Sequence, residues 1–168
     1  MRTSLKLMTL LFAIALIGCG GKEEKKKESF SYDKKTPKTE TTTTPKEEVI
    51  SASKRVDLTS KGVGPITSVV LDANIDQAMA DQGADIYQKM CTACHRVDKK
   101  FIGPAPTGIM ARRTPEWIMN MILNPEQMVK EDPLAKELLM EFNGSPMANQ
   151  NLTEDEARAV LEYFRTLK

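Results

Sequence analysis

Met90-Cys91-Thr92-Ala93-Cys94-His95 places two thiols three positions apart and follows them at once with the only histidine of the chain. Thiols one helical turn apart can add to the two vinyl groups on one edge of a porphyrin, and the adjacent imidazole can then meet the iron. The same residues admit other chemistry. Structural zinc needs four ligands, and only three stand here once Cys19 is set apart. A dithiol for disulfide exchange normally follows a strand in a βαβ pattern, whereas helical signals precede this one. A plain disulfide between Cys91 and Cys94 is the remaining alternative. Covalent attachment of a haem is the reading carried forward, with Cys91 and Cys94 as the linking sulfurs and His95 as an axial iron ligand.

A single histidine rules out bis-histidine ligation within the chain, so the sixth iron position falls to methionine, lysine, a weaker donor or nothing. Eight methionines lie beyond the N-terminal apolar run. Most, including Met79, Met90, Met119, Met121 and Met140, fall on expected helices, where a flexible thioether ordinarily fills a core. Met147 differs, because Asn143-Gly144-Ser145-Pro146-Met147-Ala148-Asn149 reads as an irregular stretch between two helices. A loop there can carry a thioether to the second haem face. Met147 is the expected ligand, with Met128 and Met110 in reserve.

The elements that must position these groups are helical. Ile75, Met79, Ile86, Tyr87 and Met90 share one face of a helix expected to end near Cys91, capped by Asp76 or Asn74. Gly83 inside that helix calls for a reason. Thr114-Pro115, Asn124-Pro125 and Asp132-Pro133 each set a capping residue before a first-turn proline. Thr153-Glu154-Asp155-Glu156 forms a capping box ahead of the stripe Ala157, Val160, Leu161, Phe164 and Leu167. Before these helices, ITSVVL at 66–71 reads as a short extended segment packed on the side of the domain.

With these motifs in hand, the chain is similar to the small monohaem class I cytochromes c from Gln82 onward. Gly83 and Tyr87, eight and four residues before Cys91, match the family's small residue for close helix crossing and its aromatic. Val160 and Tyr163 resemble the complementary positions of the last helix. Ile102-Gly103-Pro104 resembles the family's proline loop, which implies that the Pro104 carbonyl orients His95. Ser145-Pro146-Met147 resembles the methionine-ligand loop. The section from Ala111 to Phe142 matches no compact family pattern. Arg112, Arg113 and Trp117 within it carry donors suited to haem propionates, and they read equally as surface arginines and a core tryptophan. The implied fold is all-α, a small helical domain wrapped around one covalent haem c. The haem also answers a composition problem, since aromatic residues make up only 5% of the chain.

At the other end, Arg2 and Lys6 precede the uncharged run Leu7–Ile17, the layout of a secretory signal. Eleven residues are too few for a spanning helix, which takes about 20. Leu16-Ile17-Gly18-Cys19 resembles the bacterial lipobox, which implies lipid on Cys19 after cleavage; several acyl chains would hold a membrane durably at about 0.8 kcal/mol per buried CH2. Residues 20–55 are rich in lysine, glutamate and threonine and lack the apolar groups to order themselves. The expected organisation is a signal at 1–18, a lipidated and flexible linker at 19–61, and a domain at 62–168 with its core at 82–168.

The linker from residue 20 to 61 holds eleven bases and eight acids, and the domain holds eleven bases and fifteen acids. A formal net charge of +1 for the whole chain provides no basic field for nucleic acid. No second CxxCH and no nucleophile or base constellation accompanies the motif, so no small-molecule substrate is expected. The function implied is single-electron transfer between redox proteins of a respiratory chain, outside the cytoplasm, from a periplasmic or surface-side membrane anchor. The alternatives are a haem-based sensor with an open distal site, and a fixed electron-entry subunit of one oxidase or reductase.

Overall fold

The computed structural model describes residues 50–168. The signal-like run, Cys19 and the linker up to residue 49 lie outside the described residues. Among the described residues there are five α-helices and no strand: α1 Gln77–Met90, α2 Pro115–Leu123, α3 Pro125–Glu131, α4 Pro133–Glu141 and α5 Glu154–Thr166, with a 3-10 turn at Ile109–Ala111. No helix here is long and apolar enough to cross a membrane.

The capping chemistry accounts for where the helices begin. Asp76 accepts from the Met79 N–H, Thr114 from Trp117, and Asp132 from Ala135. Thr153 and Glu156 form a reciprocal capping box, an arrangement whose loss typically costs about 1 kcal/mol. Asn124 stands before Pro125 as expected, yet its side chain makes no cap and instead donates to Gln127 Oε1 at 2.6 Å.

The crossing of α1 and α5 is the centre of the fold. The face of α1 that is buried is Ala80, Gly83 and Tyr87: Tyr87 as expected, with the small Ala80 and Gly83 in place of Met79, Ile86 and Met90. A β-carbon at Gly83 would run into the backbone carbonyl of Ala159, so only glycine lets the two helices touch. Below that contact Tyr87 stacks against Tyr163 at 5.5 Å and meets Phe164 edge-on at 5.7 Å between ring centroids. Ala157, Val160, Leu161 and Phe164 form the buried stripe of α5.

The domain begins earlier than Gly62. Residues 51–61, assigned to the linker from composition, form a strap held on the helices by side chains remote in sequence. The Asp57 N–H donates to the Arg112 carbonyl at 2.9 Å, and Thr114 Oγ1 donates to the Ser60 carbonyl at 2.6 Å. Further along, Asn120 receives the Ile66 N–H and donates to the carbonyls of Lys61 and Ile66, each at 2.9 Å. The 66–71 segment does pack on the domain, through buried Ile66 and these side-chain bonds, without becoming a strand. A segment too polar to order itself can still be ordered when its backbone groups are satisfied by a prebuilt surface.

Candidate functional site: a haem cavity

A cavity opens beside the Cys91–His95 turn and is walled by α1, α2, α4, α5, the Ile102–Pro106 loop and the Ser145–Ala148 loop. Cys91, Cys94 and His95 stand on one wall, and Met147 lines the same cavity. Helix α1 stops at Met90, and the chain turns through the motif with Cys94 N and His95 N both donating to the Cys91 carbonyl, at 3.1 and 2.9 Å. Both thiols are free. Burial first, and the neighbouring Cys94 second, push the Cys91 thiol up to about 11, opposite to the depressed value that a disulfide-exchange nucleophile needs. Among the described residues no three Cys, His, Asp or Glu side chains cluster to hold a metal ion, which removes the support for structural zinc.

The imidazole is already oriented. His95 Nδ1 lies 2.8 Å from the Pro104 carbonyl, and a β-carbon at Gly103 would strike the ring. The loop is tied to the motif by the Gly103 N–H, which donates to the Cys94 carbonyl at 2.8 Å.

The remaining sequence candidates separate. Met147 is brought to the cavity; Met128 and Met110 are not among its lining residues. Met128 is fully buried beneath the strap, with its sulfur receiving the Val63 N–H at 3.0 Å. Trp117, Arg112 and Arg113 all line the cavity. Trp117 Nε1 is buried without a hydrogen-bond partner, as is the Tyr87 hydroxyl, and burial lifts the Tyr87 phenol to about 12. Arg112 donates to the Thr107 carbonyl at 3.1 Å. Arg113 directs its donors to the carbonyls of Ala52, Arg55 and Arg112.

Several lining residues were not legible as site residues. Met121 and Ile118 on α2, and Leu138, Leu139 and Phe142 at the end of α4, help to enclose the cavity, so the unaligned middle section supplies part of its wall. Their apolar character reads equally well as core. Ser53, from the strap, also reaches the cavity.

Thus an apolar-lined cavity has two thiols and an oriented imidazole on one wall, a thioether on its lining, and an unpartnered buried indole N–H. This donor set fits an apolar macrocycle carrying anionic groups and a metal. Comparison with protein families agrees: the family model described as Cytochrome c matches residues 80–168. The chain belongs to the cytochrome c family. Its cofactor is covalently bound haem c, and it is a haem-based electron carrier with redox proteins as partners. Cytochrome c from Rhodothermus marinus is 45% identical, with a TM-score of 0.60 over 62% of this chain and 89% of that one. An engineered cytochrome c from the same organism is 44% identical, with a TM-score of 0.60 over 62% and 90%. Another structure of an engineered form, described as bound to a carbene intermediate, is 44% identical with a TM-score of 0.58 over 62% and 89%. No curated protein matches.

Proposed function

We propose that this chain is a lipid-anchored monohaem cytochrome c that passes single electrons between respiratory partners outside the cytoplasm, with Cys91 and Cys94 as thioether links and His95 and Met147 as axial ligands. The observation that carries this reading is the joint placement of His95 and Met147 on one cavity, with His95 Nδ1 committed to Pro104. That commitment leaves Nε2 as the nitrogen available to a metal. Haem c, when bound, supplies a one-electron ferrous–ferric couple, and a histidine–methionine ligand set raises its potential.

The chain's own residues do the rest. Pro104 holds the imidazole in one tautomer. The walls from α2, α4 and α5 exclude water, which lowers the reorganisation that a charge change demands. Trp117 Nε1 and the free donors of Arg112 are suited to the haem carboxylates. Cys19, the signal-like run before it and the polar composition of the segment after it support the tether. The test is spectroscopic. Met147→Ala in the matured protein abolishes the weak long-wavelength ferric band of sulfur ligation while leaving haem attached; retention of that band would assign the sixth position to another residue.

A second reading, a sensor or ligand binder with a labile distal site, draws on the Met147 loop. Asn143, Gly144 and Asn151 there have left-handed backbone, at φ 60°, 71° and 54°. A side-chain tie from the loop to a helix runs from Asn149 to the Leu123 carbonyl at 3.2 Å. Rapid carbon monoxide binding by the ferrous protein favours that reading; slow or absent binding favours the carrier.

A further inference from the structure

The strap precedes residue 80, where the match to the family begins, yet it contributes Ser53 to the lining of the haem cavity. Its fastening point is Arg113, which is 3% exposed and makes no ion pair among the described residues. The guanidinium donates to the carbonyls of Ala52 at 2.6 Å, Arg112 at 2.8 Å and Arg55. It sits 5.2 Å from the centre of the ring of Trp117, which also lines the cavity. A second fastening of the strap comes from Glu141, whose carboxylate accepts from the Ser53 N–H and hydroxyl at 2.8 and 2.5 Å. Ser53 and Arg113 both line the cavity, so the strap and the charge it holds face the same space.

A buried cation surrounded by carbonyl oxygens keeps its net charge, whereas a carboxylate partner would cancel it. Burial and the adjacent Arg112 both press the Arg113 guanidinium below its ordinary value, and Asp57 and Asp132 oppose them only in part. This is a cation held by carbonyl geometry, without an ion pair among the described residues and only partly compensated by nearby carboxylates.

We propose that the strap and Arg113 form a clasp that sets the reduction potential of the haem site, with Arg113 as a positioning residue that fixes positive charge at the cavity edge while the strap shields that edge from water. The inference rests on the haem-carrier reading above. Oxidation adds one positive charge to the site; a fixed cation disfavours that change and water favours it. Both parts of the clasp therefore raise the potential.

The test uses the full-length, haem-loaded protein and measures midpoint potential together with amide hydrogen exchange at Ser53 and Asp57. Arg113→Lys keeps the charge and cannot span the carbonyls; Arg113→Gln loses both functions. The potential is expected to fall in Arg113→Lys and further in Arg113→Gln, with faster exchange at Asp57. Glu141→Ala is the second arm, because its two consequences have opposite signs: losing a negative charge raises the potential, and releasing Ser53 lowers it. A fall in Glu141→Ala with faster exchange at Ser53 supports the clasp. An unchanged or raised potential there, or an unchanged potential in the Arg113 variants despite faster exchange, reduces the strap to a structural brace and overturns the proposal. Haem content separates the two levels, since a wild-type chain without haem overturns the carrier reading as well, while an unmoved potential in loaded variants overturns the clasp alone.

Discussion

The Pro104 carbonyl lies 2.8 Å from His95 Nδ1, and Gly103 next to it leaves the ring the room it needs. The hydrogen bond fixes the ring's tautomer and, in the proposed ligation, raises the basicity of the nitrogen turned toward a metal. The imidazole is thus positioned by backbone, through a loop that is itself bonded back to the Cys94 carbonyl.

Gly103→Val places a side chain against the imidazole and forces it off Pro104. Haem remains attached through the thioethers, but the axial bond weakens. The expected result is a loss of the low-spin absorption pattern and faster carbon monoxide binding by the ferrous form. Unchanged spectra would show that Pro104 does not govern the ring.

Trp117→Phe keeps the ring and removes the buried N–H. A donor facing nothing is a liability, so its removal would leave stability unchanged or raise it; a donor paired with a haem carboxylate contributes about 2 kcal/mol. Denaturant unfolding of the haem-loaded variant is expected to show a loss of that order.

Gly83→Val puts a side chain where the Ala159 backbone stands. Overpacking a closed contact costs about 1–3 kcal/mol, and here the obstacle is a main chain with little freedom to retreat. The expected loss is at the upper end of that range or beyond, read from the denaturation midpoint. A near-wild-type midpoint would mean that α1 and α5 can separate cheaply.

Acid sensitivity is expected from Glu162, which is fully buried in α5. Burial alone would raise its pKa, but the hydrogen bond from Arg158, the Asp76 N–H and the charges of Arg158 and Arg165 together hold it below the ordinary 4.5. Both arginines stand 2.5 Å from its oxygens. A carboxylate with a depressed folded-state pKa contributes stability that is present above its unfolded value and lost as pH falls through the folded one. Stability should therefore decline below about pH 4.5, the unperturbed carboxylate value, and Glu162→Gln should flatten that decline while costing about 3 kcal/mol at neutral pH by leaving its arginine partners without their carboxylate. An unaltered acid limb in the variant would locate the sensitivity elsewhere.

What was legible in the sequence was local. The CxxCH spacing, the caps at Asp76, Thr114, Asp132 and Thr153, and the Gly83 contact depend on residues close together or on a family pattern. The strap escaped because Arg113, Asn120 and Glu141 hold its main-chain groups, and backbone partners leave no mark in side-chain composition. The α4 wall escaped for a different reason: Leu138, Leu139 and Phe142 look the same whether they face a protein core or a macrocycle. Arg113 was a candidate propionate donor in the sequence, yet its donors turn to the carbonyls of Ala52, Arg55 and Arg112, a distinction that only the geometry reveals.

Intact-mass measurement of the polypeptide matured in a periplasm tests the whole account most directly. The prediction is a mass increase of one haem that survives denaturation and disappears in the Cys91→Ala/Cys94→Ala double variant. A wild-type chain carrying no added macrocycle would contradict it.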